Sequence, residues 1–498
     1  MKLYRCAAGA VLMTLAAGCS LQPVYQRPAA PVATVFPAGE AYKAPSVGAG
    51  STMLPAADIG WRNFLPDSRL QRLVELALVN NRDLRVAVLN VEKVQAQYRI
   101  ERAALYPQVS AGASASTKSA SRGGSTGNAN ASSNYSAGLS ASWEIDFFGR
   151  LRSLTDAALE QYLASAHARQ AAEILLVSQI ADQYLTTLAY DEQLAVTQST
   201  LTTAQAAYEI VKLQFDTGTA SELDLRLSQT TVEQAQANYA AQIRLRAQAE
   251  NALVLLVGEP LPLDLPPPVR LGAQPILADI PAGLPSDLLE RRPDILEAEA
   301  VLRSENADIG AARAAFFPRI SLTGALGTAS ATLGGLFAAG SSAWSFVPSL
   351  VMPIFTAGAN QANLDVATVQ KDIGIAQYEK AVQTAFREVS DGLAARGTYD
   401  DQLAAQQRYT DAQQRRLELA NMLYASGTDS YLSVLTAQTD LYNAQLALVT
   451  TRLNRLTSLV DLYRSLGGGW IQRTGDEPRP ADTATASATA GSPSPTVL

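Results

Sequence analysis

The sequence is poor in the residues on which most catalytic and metal chemistry depends. Among 498 residues there are two cysteines and one histidine, and aromatic residues make up only 7%. No Cys/His spacing typical of a metal site occurs, and no phosphate-binding, dinucleotide-binding or serine-hydrolase motif is present. We therefore expect a protein that is not an enzyme and that needs neither a cofactor nor a metal.

Neither a concentrated charge nor a long hydrophobic run is found along the chain. The formal net charge is −7, the isoelectric point is near 5.1, and no basic block appears. Because nucleic-acid binding depends on clustered lysine and arginine, no nucleic-acid partner is expected. The apolar stretch at 7–17 is too short to cross a bilayer as a helix.

The N-terminus predicts export and lipidation. Lys2 and Arg5 precede the short apolar stretch, which ends in LAAGCS around Cys19. This pattern resembles a bacterial lipobox and predicts a signal peptide at 1–18, with Cys19 acylated as the first residue of the mature chain. The alternative is an ordinary signal peptide that leaves Cys19 as a spare thiol. Since Cys6 would be removed with the signal peptide, no disulfide is expected.

The chain contains an internal repeat. RAALYPQVS at 102–110 corresponds to RAAFFPRIS at 313–321, at an offset of 211 residues. Further on, Gly218-Thr219 corresponds to Gly427-Thr428, at an offset of 209. A repeat of this length is a whole structural half. We therefore expect both halves to contribute equivalently to one fold.

Each half predicts one β-hairpin and long helices. At 135–147, apolar residues alternate with small polar and acidic ones, as on a strand with one apolar and one polar face. At 151–215, proline and glycine are absent, and a single helix of this length would extend about 100 Å. The predicted segments are a tether at 19–60; a first repeat at 61–258, with a hairpin at 107–147, a long helix at 151–215 and a helix at 221–257; a proline-rich connector at 259–285; a second repeat at 286–470, with a helix from Ser286 to Phe316, a hairpin at 318–355, a long helix at 360–424 and a helix at 430–466; and a disordered tail at 471–498.

The strand pattern favours a membrane barrel that several copies build together. Strands of about 12 residues are long enough to cross a bilayer when tilted, with apolar faces toward lipid and polar faces toward water. Four strands cannot close a barrel, and open sheet edges are not tolerated in hydrocarbon. The chain must therefore oligomerise. The alternative, a soluble coiled-coil protein with a small β-sandwich, does not account for the lipobox and the strand faces together.

Three groups of motifs carry a family resemblance. The chain resembles the TolC-like outer membrane efflux protein family, specifically its OprM/NodT lipoprotein branch. Glu305 departs from the pattern, because alanine is common there. The motifs are LPSDLLERRPDI at 284–295 with Ala298-Glu299, Asn306-Ala307, Ile309-Gly310 and Phe317-Pro318 after it; CSLQPVYQRP at 19–28; and LGGGW at 466–470.

The resemblance implies an α+β membrane protein that works as a homotrimer. Three chains would form a 12-stranded outer-membrane β-barrel, with four strands from each, continued by a long periplasmic α-helical barrel. It also implies a passive exit duct for drugs or other small toxic compounds, surrounded by outer-membrane lipid. The partners would be a periplasmic adaptor (membrane fusion protein) and an inner-membrane RND transporter. The alternatives are an exit duct for a type I, ABC-driven protein secretion system and a structural lipoprotein that bridges envelope layers.

The resemblance further implies a periplasmic gate at the turns 216–221 and 426–430. In the family, a tyrosine before the second turn and a charged residue after its Gly-Thr pair take part in closure. The matching residues in this sequence are Tyr424 and Asp429. We therefore expect both residues at the closed entrance.

The acidic residues of the gate are arranged differently from the family pattern. Ser433 and Thr436 occupy the positions where the family has aspartates. Asp224, the repeat equivalent of Ser433, and the nearby Glu222 are therefore hypothesised to form a negative ring with Asp429. Repeated in three chains, such a ring would attract cations. The alternative is that these acids only cap helix N-termini.

Overall fold

The computed structural model describes residues 20–43, 54–119, 131–278, 280–281 and 283–476. The predicted signal peptide at 1–18 and the predicted lipidation site Cys19 lie outside these residues. The chain divides into two compact units, each of which draws on both sequence repeats. Unit 1 consists of Met1–Ala30, Leu89–Ala166 and Glu297–Lys380; unit 2 consists of Pro31–Val88, His167–Leu296 and Ala381–Leu498.

The longer helices repeat almost residue for residue between the two halves, whereas β2 contains 15 residues and β4 only 10. The first and second long helices both contain 67 residues, and the helices that precede the first and third strands both contain 22. No helix among the described residues is both long enough and apolar enough to cross a membrane. In chain order the elements are α1 Trp61–Phe64, α2 Ser68–Asn80, α3 Arg82–Ala103, β1 Gln108–Ser119, β2 Ala131–Ile145, α4 Arg150–Asp216, α5 Glu222–Val257, α6 Pro285–Arg291, α7 Pro293–Ala314, β3 Arg319–Ser330, β4 Ser342–Val351, α8 Ala359–Ala425 and α9 Tyr431–Ser465, with 3-10 turns at Ala56–Asp58, Leu271–Ala273 and Leu333–Gly335.

The four strands form one antiparallel sheet in unit 1. Their order is β1-β2-β3-β4, so that β1 and β4 are its two edges and β2 pairs with β3 to join the two hairpins. Leu139, Leu326 and Trp344 are cross-strand neighbours in register on one face, and their side chains are 55%, 67% and 78% exposed. On the other face, the hydroxyls of Ser110 and Ser140 lie 2.8 Å apart. The sheet therefore has one apolar face and one face of mainly small polar residues, to which β4 adds the exposed Val347 and Val351.

The two central strands approach each other closely at a pair of glycines. Gly138 on β2 lies opposite Gly327 on β3. A Cβ atom on Gly138 would lie 2.6 Å from the carbonyl oxygen of Leu326 and 2.8 Å from the Cα of Gly327. Only glycine fits here without moving the backbone of the neighbouring strand.

In unit 2, part of the core lies where α1 meets α9. Trp61 and Phe64 are fully buried, and the Phe64 ring stacks on the ring of Tyr463 with centroids 3.9 Å apart. The Tyr463 hydroxyl donates a hydrogen bond of 2.5 Å to the carbonyl of Ile59. Aromatic packing and one buried hydrogen bond thus fix the short α1 against the last long helix.

The prediction of one helix from Ser286 to Phe316 was wrong. Two helices, α6 and α7, are separated at Arg292, whose φ of −89° and ψ of 119° are extended. The cause is Pro293, because a proline ring disfavours helical backbone in the residue before it while suiting the first position of a new helix. The Arg292 side chain is buried in ion pairs with Asp294 at 2.6 Å and Glu388 at 2.9 Å.

The prediction of disorder across 471–498 was also wrong for 471–476. The carbonyls of Ile471 and Gln472 accept hydrogen bonds of 2.9 and 3.1 Å from the backbone N–H groups of Trp61 and Arg62. These donors lie in the first turn of α1, where no carbonyl of the same helix can reach them. Residues 471 and 472 therefore supply the hydrogen-bond acceptors that the first turn of α1 lacks. Residues 477–498 lie outside the described residues.

Candidate functional site

The two turns that connect the long helices have the same backbone structure. Gly218, between α4 and α5, has φ 75°, and Gly427, between α8 and α9, has φ 73°. In each turn the N–H of the next residue, Thr219 or Thr428, bonds back to a carbonyl five residues earlier, at 2.8 and 3.0 Å. Glycine adopts this left-handed backbone without steric cost, which is why it ends the helix.

All four long helices contribute to an apolar core beside these turns. It lies wholly within unit 2 and holds the helix ends together. The buried members are Val211, Ala420, Tyr431, Val434, Leu435 and Ala437, with Leu225, Leu227, Leu417 and Tyr424 packed against them.

Tyr424, predicted from the resemblance, joins two helices of this core. Its hydroxyl donates a 3.2 Å hydrogen bond to Oε1 of Gln214, which connects α8 to α4. Its ring lies against that of Tyr431, with centroids 5.3 Å apart and planes tilted by 47°. Burial and the nearby charge of Asp224 raise the pKa of the Tyr424 hydroxyl. The hydroxyl therefore stays protonated and remains a donor at neutral pH.

Tyr431 also connects two helices, and it was not among the residues predicted from the sequence. It is 6% exposed, and its hydroxyl donates a 3.2 Å hydrogen bond to Oγ of Ser228, which is 1% exposed. This contact connects α9 to α5. Tyr431 is the repeat equivalent of Glu222, which the gate hypothesis already included. The repeat was therefore the signal that could have drawn attention to this position.

Asp224 closes a capping box at the start of α5. Its backbone N–H donates to the Ser221 hydroxyl at 3.1 Å, while its Oδ2 accepts from the Ser221 hydroxyl and N–H at 2.6 and 3.3 Å. Asp224 also lies close enough to Tyr424 and Tyr431 for its charge to raise the pKa values of both hydroxyls, after the effect of burial. Of the predicted acids, it is the one placed beside the tyrosines.

Asp429 and Glu222 are exposed and are bonded within their own helix turns. Oδ1 of Asp429 accepts from the N–H of Ser430 at 2.7 Å and from the hydroxyl of Ser433 at 2.8 Å. Glu222 forms a 3.4 Å ion pair with Arg226, one helical turn later. Both capping and a contribution to a negative ring are compatible with these positions, because both carboxylates stay exposed to solvent while they make these contacts.

Across the described ranges, no group of three or more histidine, cysteine, aspartate or glutamate side chains is placed to hold a metal ion. What the arrangement can do is mechanical and electrostatic. Hydrogen bonds hold helix ends together, and carboxylates set the sign of the local potential.

Comparison with known proteins places the chain in a group of outer-membrane channels. The family described as outer membrane efflux protein matches residues 73–259 and 284–468, once in each repeat. The chain is 48% identical to the toluene efflux pump outer membrane protein TtgC of Pseudomonas putida, over 96% of this chain and 98% of that protein. It is 44% identical to the outer membrane protein OprJ of Pseudomonas aeruginosa, over 93% and 95%.

Two solved structures show the same fold. The open state of the Neisseria gonorrhoeae MtrE outer membrane channel has a TM-score of 0.81 and 39% identity, over 92% of this chain and all of that one. The Campylobacter jejuni CmeC outer membrane channel has a TM-score of 0.84 and 27% identity, over 94% and 98%. The similarity therefore includes both units.

Proposed function

We propose that this chain, which belongs to the outer membrane efflux protein family, is the outer-membrane channel of an efflux pump. It conducts drugs or other small toxic compounds passively to the exterior. The observation that carries this conclusion is near-complete alignment with relatives named as toluene and antibiotic efflux pump outer membrane proteins. The two faces of the sheet, one apolar and one of small polar residues, suit a strand layer between lipid and a water-filled pore.

The channel is a homotrimer that extends into the periplasm. One chain supplies four strands with two open edges, β1 and β4, and three chains close a 12-stranded barrel. The long helices form the periplasmic part. A periplasmic adaptor and an inner-membrane RND transporter deliver the substrate.

We further propose that Cys19 is acylated and anchors the mature chain in the outer membrane. The lipobox-like sequence around Cys19 and the family resemblance of residues 19–28 support this assignment. Intact-mass measurement of the purified protein tests it. A mass increased by a diacylglycerol and a fatty acyl chain, and lost in Cys19→Ala, is expected; an unmodified mass refutes it.

We propose that Tyr424, Asp429, Asp224 and Glu222 form the periplasmic gate. The hydrogen bond between Tyr424 and Gln214 supports a role in closure, because α8 cannot move away from α4 without breaking it. The three carboxylates beside the turns, repeated in each chain, would make the entrance negative and favour cations.

Single-channel recording in a planar bilayer tests both the duct and the gate. Purified trimer is expected to give small, mostly closed, cation-preferring openings. Asp224→Asn combined with Asp429→Asn should weaken the cation preference, because asparagine still accepts the capping hydrogen bonds but carries no charge. Asp411→Asn, on α8 away from the turns, is the matched control. Unchanged selectivity in the double variant would remove these acids from the gate.

The same recording also distinguishes the duct from a structural bridge. A trimer that never conducts, even after the adaptor and the transporter have been added, would contradict the channel assignment. Conductance that appears only with the adaptor would instead show a gate that is sealed at rest.

A further inference from the structure

The N-terminal segment lies along one face of helix α7 in unit 1. The carbonyl of Leu21 accepts a hydrogen bond from Nη1 of Arg313 at 3.3 Å, and the carbonyl of Pro23 accepts one from Nδ2 of Asn306 at 2.7 Å. Arg27, further along the segment, pairs with Glu299 at 2.7 Å. Residue numbers rise along the segment while those of their partners fall along α7, so the segment runs antiparallel to this helix.

The residues that α7 presents to this segment share one helix face. Their spacing alternates between four and three residues, which brings side chains onto one side of an α-helix. We call this set the docking face. It consists of Glu299, Arg303, Asn306, Gly310 and Arg313.

Gly310 leaves the space in which the segment lies. A Cβ atom at this position would be 2.5 Å from the Ser153 hydroxyl oxygen on α4 and 2.9 Å from both the Cα and the Cβ of Gln22. These distances are shorter than ordinary contacts, so a larger residue would displace the segment, the Ser153 side chain or both. The absence of a side chain at Gly310 therefore lets Gln22 pack closely against the docking face, in addition to the hydrogen bonds on either side.

Glu299 makes the strongest contacts of the docking face. Its carboxylate is 3% exposed and accepts hydrogen bonds from Arg27 Nε at 3.0 Å and Arg27 Nη2 at 2.7 Å, from Arg303 at 2.8 Å, and from the Tyr25 hydroxyl at 3.3 Å. The guanidinium of Arg303 also lies 5.2 Å from the centre of the Tyr25 ring. Burial alone would raise the pKa of Glu299, but the two arginines outweigh it and the pKa is lowered.

A bidentate arginine on a buried carboxylate is a directional contact. Two parallel N–H···O bonds fix both the position and the orientation of the guanidinium, and hence of the backbone that carries it. The segment needs such a contact, because residues 20–43 contain neither helix nor strand to hold them. Without Arg27, Glu299 would keep one cationic partner, Arg303, while buried.

We propose that Glu299 is a positioning residue that holds residues 21–27 in register on α7, so that the chain before Leu21 leaves the docking face at the end of α7 that leads into β3. The proposal extends the proposed function, since β3 is a barrel strand and the predicted anchor lies just before Ser20. The register would deliver an attached lipid to the membrane boundary of the same protomer. It also explains why the motifs at 19–28 and around Glu299 occur together: their residues contact each other.

Limited proteolysis of the purified full-length trimer tests this role. Arg27→Gln and Glu299→Gln should each make chymotrypsin cleave after Tyr25 about tenfold faster, because the segment leaves the helix locally without unfolding it. The double variant should be cleaved little faster than either single variant, since both remove the same contact. Because Arg27 is partly exposed and lies on an irregular segment, Arg27→Gln is expected to fold normally.

Glu305→Gln is the matched control on the same helix. Glu305 is also a buried carboxyl of α7, but it accepts from Gln370 at 2.8 Å and makes no contact with the N-terminal segment in the described structure. Cleavage after Tyr25 should be unchanged in this variant. Equal cleavage rates in the wild type, Arg27→Gln and Glu299→Gln would overturn the proposal.

A spin label at Val24→Cys gives a second, independent readout. The Val24 side chain is 86% exposed, so the label can be attached without disturbing the contacts. The label should be less mobile in the wild-type background than with Glu299→Gln, while channel conductance stays the same. Loss of conductance without a change in label mobility would instead indicate a general structural role for Glu299. Mass spectrometry of Cys19 separates this result from failure of the lipidation proposal.

Discussion

Asp182 on α4 is a buried carboxyl in an unfavourable electrostatic position. Its Oδ1 has no hydrogen-bond partner in the described structure. Burial and the neighbouring Asp461 raise its pKa to about 7, and Arg464 only partly offsets them. Arg292, by contrast, is buried with two carboxylates. A buried charge is tolerated when its partners are close, and costs stability when they are not.

Replacing Asp182 with asparagine is expected to stabilise the protein, and the gain should depend on pH. The pKa of Asp182 is higher in the folded than in the unfolded protein. Asp182 therefore lowers the free energy of unfolding only at pH values where the unfolded chain has lost the carboxyl proton. The penalty is absent below about pH 4, grows up to about pH 7 and is constant above that. Thermal unfolding of Asp182→Asn should show a gain on the order of 2–4 kcal/mol at pH 8 and little gain near pH 4. A gain that does not change between pH 4 and 8 would contradict this assignment.

The hydroxyl of Tyr431 is expected to hold the gate closed together with that of Tyr424. Tyr431→Phe keeps the ring in the core but removes the hydrogen bond to Ser228, at a cost of about 1 kcal/mol. If this contact is lost on opening, the open probability in single-channel records should rise by about fivefold. Tyr409→Phe, at a tyrosine on α8 that is 49% exposed, is the control. No change in open probability for Tyr431→Phe would show that the bond persists in the open channel.

At the scale of elements, the close approach of β2 and β3 constrains the sheet. Gly138→Ala is expected to reduce the yield of folded trimer, because its Cβ would meet the backbone of β3 at 2.6 Å. Gly324→Ala, three residues before Gly327 on β3, should have little effect, since the nearest atom would be 3.9 Å away. Heat-modifiable migration on SDS gels measures the folded fraction. Equal yields of folded trimer for the two variants would show that β2 and β3 can move apart without impairing folding.

The helix ends show how local signals and helix packing combine. The long helices lie at Arg150–Asp216 and Ala359–Ala425, within one residue of the predicted 151–215 and 360–424 at each end. Unbroken helix-forming sequence followed by Gly-Thr is a local signal that acts within a few residues. The break at Arg292 was missed, although Pro293 supplies an equally local signal.

At the scale of the whole molecule, one chain leaves the sheet with two open edges. Native mass spectrometry of the detergent-extracted protein should therefore give three chains, because no strand of the described residues pairs with the outer edges of β1 and β4, and other copies can supply those partners. A predominantly monomeric or dimeric species that still conducts would contradict the barrel assignment.

The sequence by itself determined the repeat, the two long helices, the four strands and the family to which the chain belongs. These follow from periodicity, turn residues and motifs, which act over short distances along the chain. It led to Tyr424 and Asp429 only through the family resemblance, and to Asp224 and Glu222 through the resemblance combined with the internal repeat.

Only the tertiary structure decided which residues meet across the chain. Tyr431 and Ser228 are 203 positions apart, Arg27 and Glu299 are 272 apart, and all four carry no local signal that they pair. Such contacts depend on how helices pack and on which side chains lose their water. Two chains with the same helix and strand pattern could therefore differ in every one of these pairings.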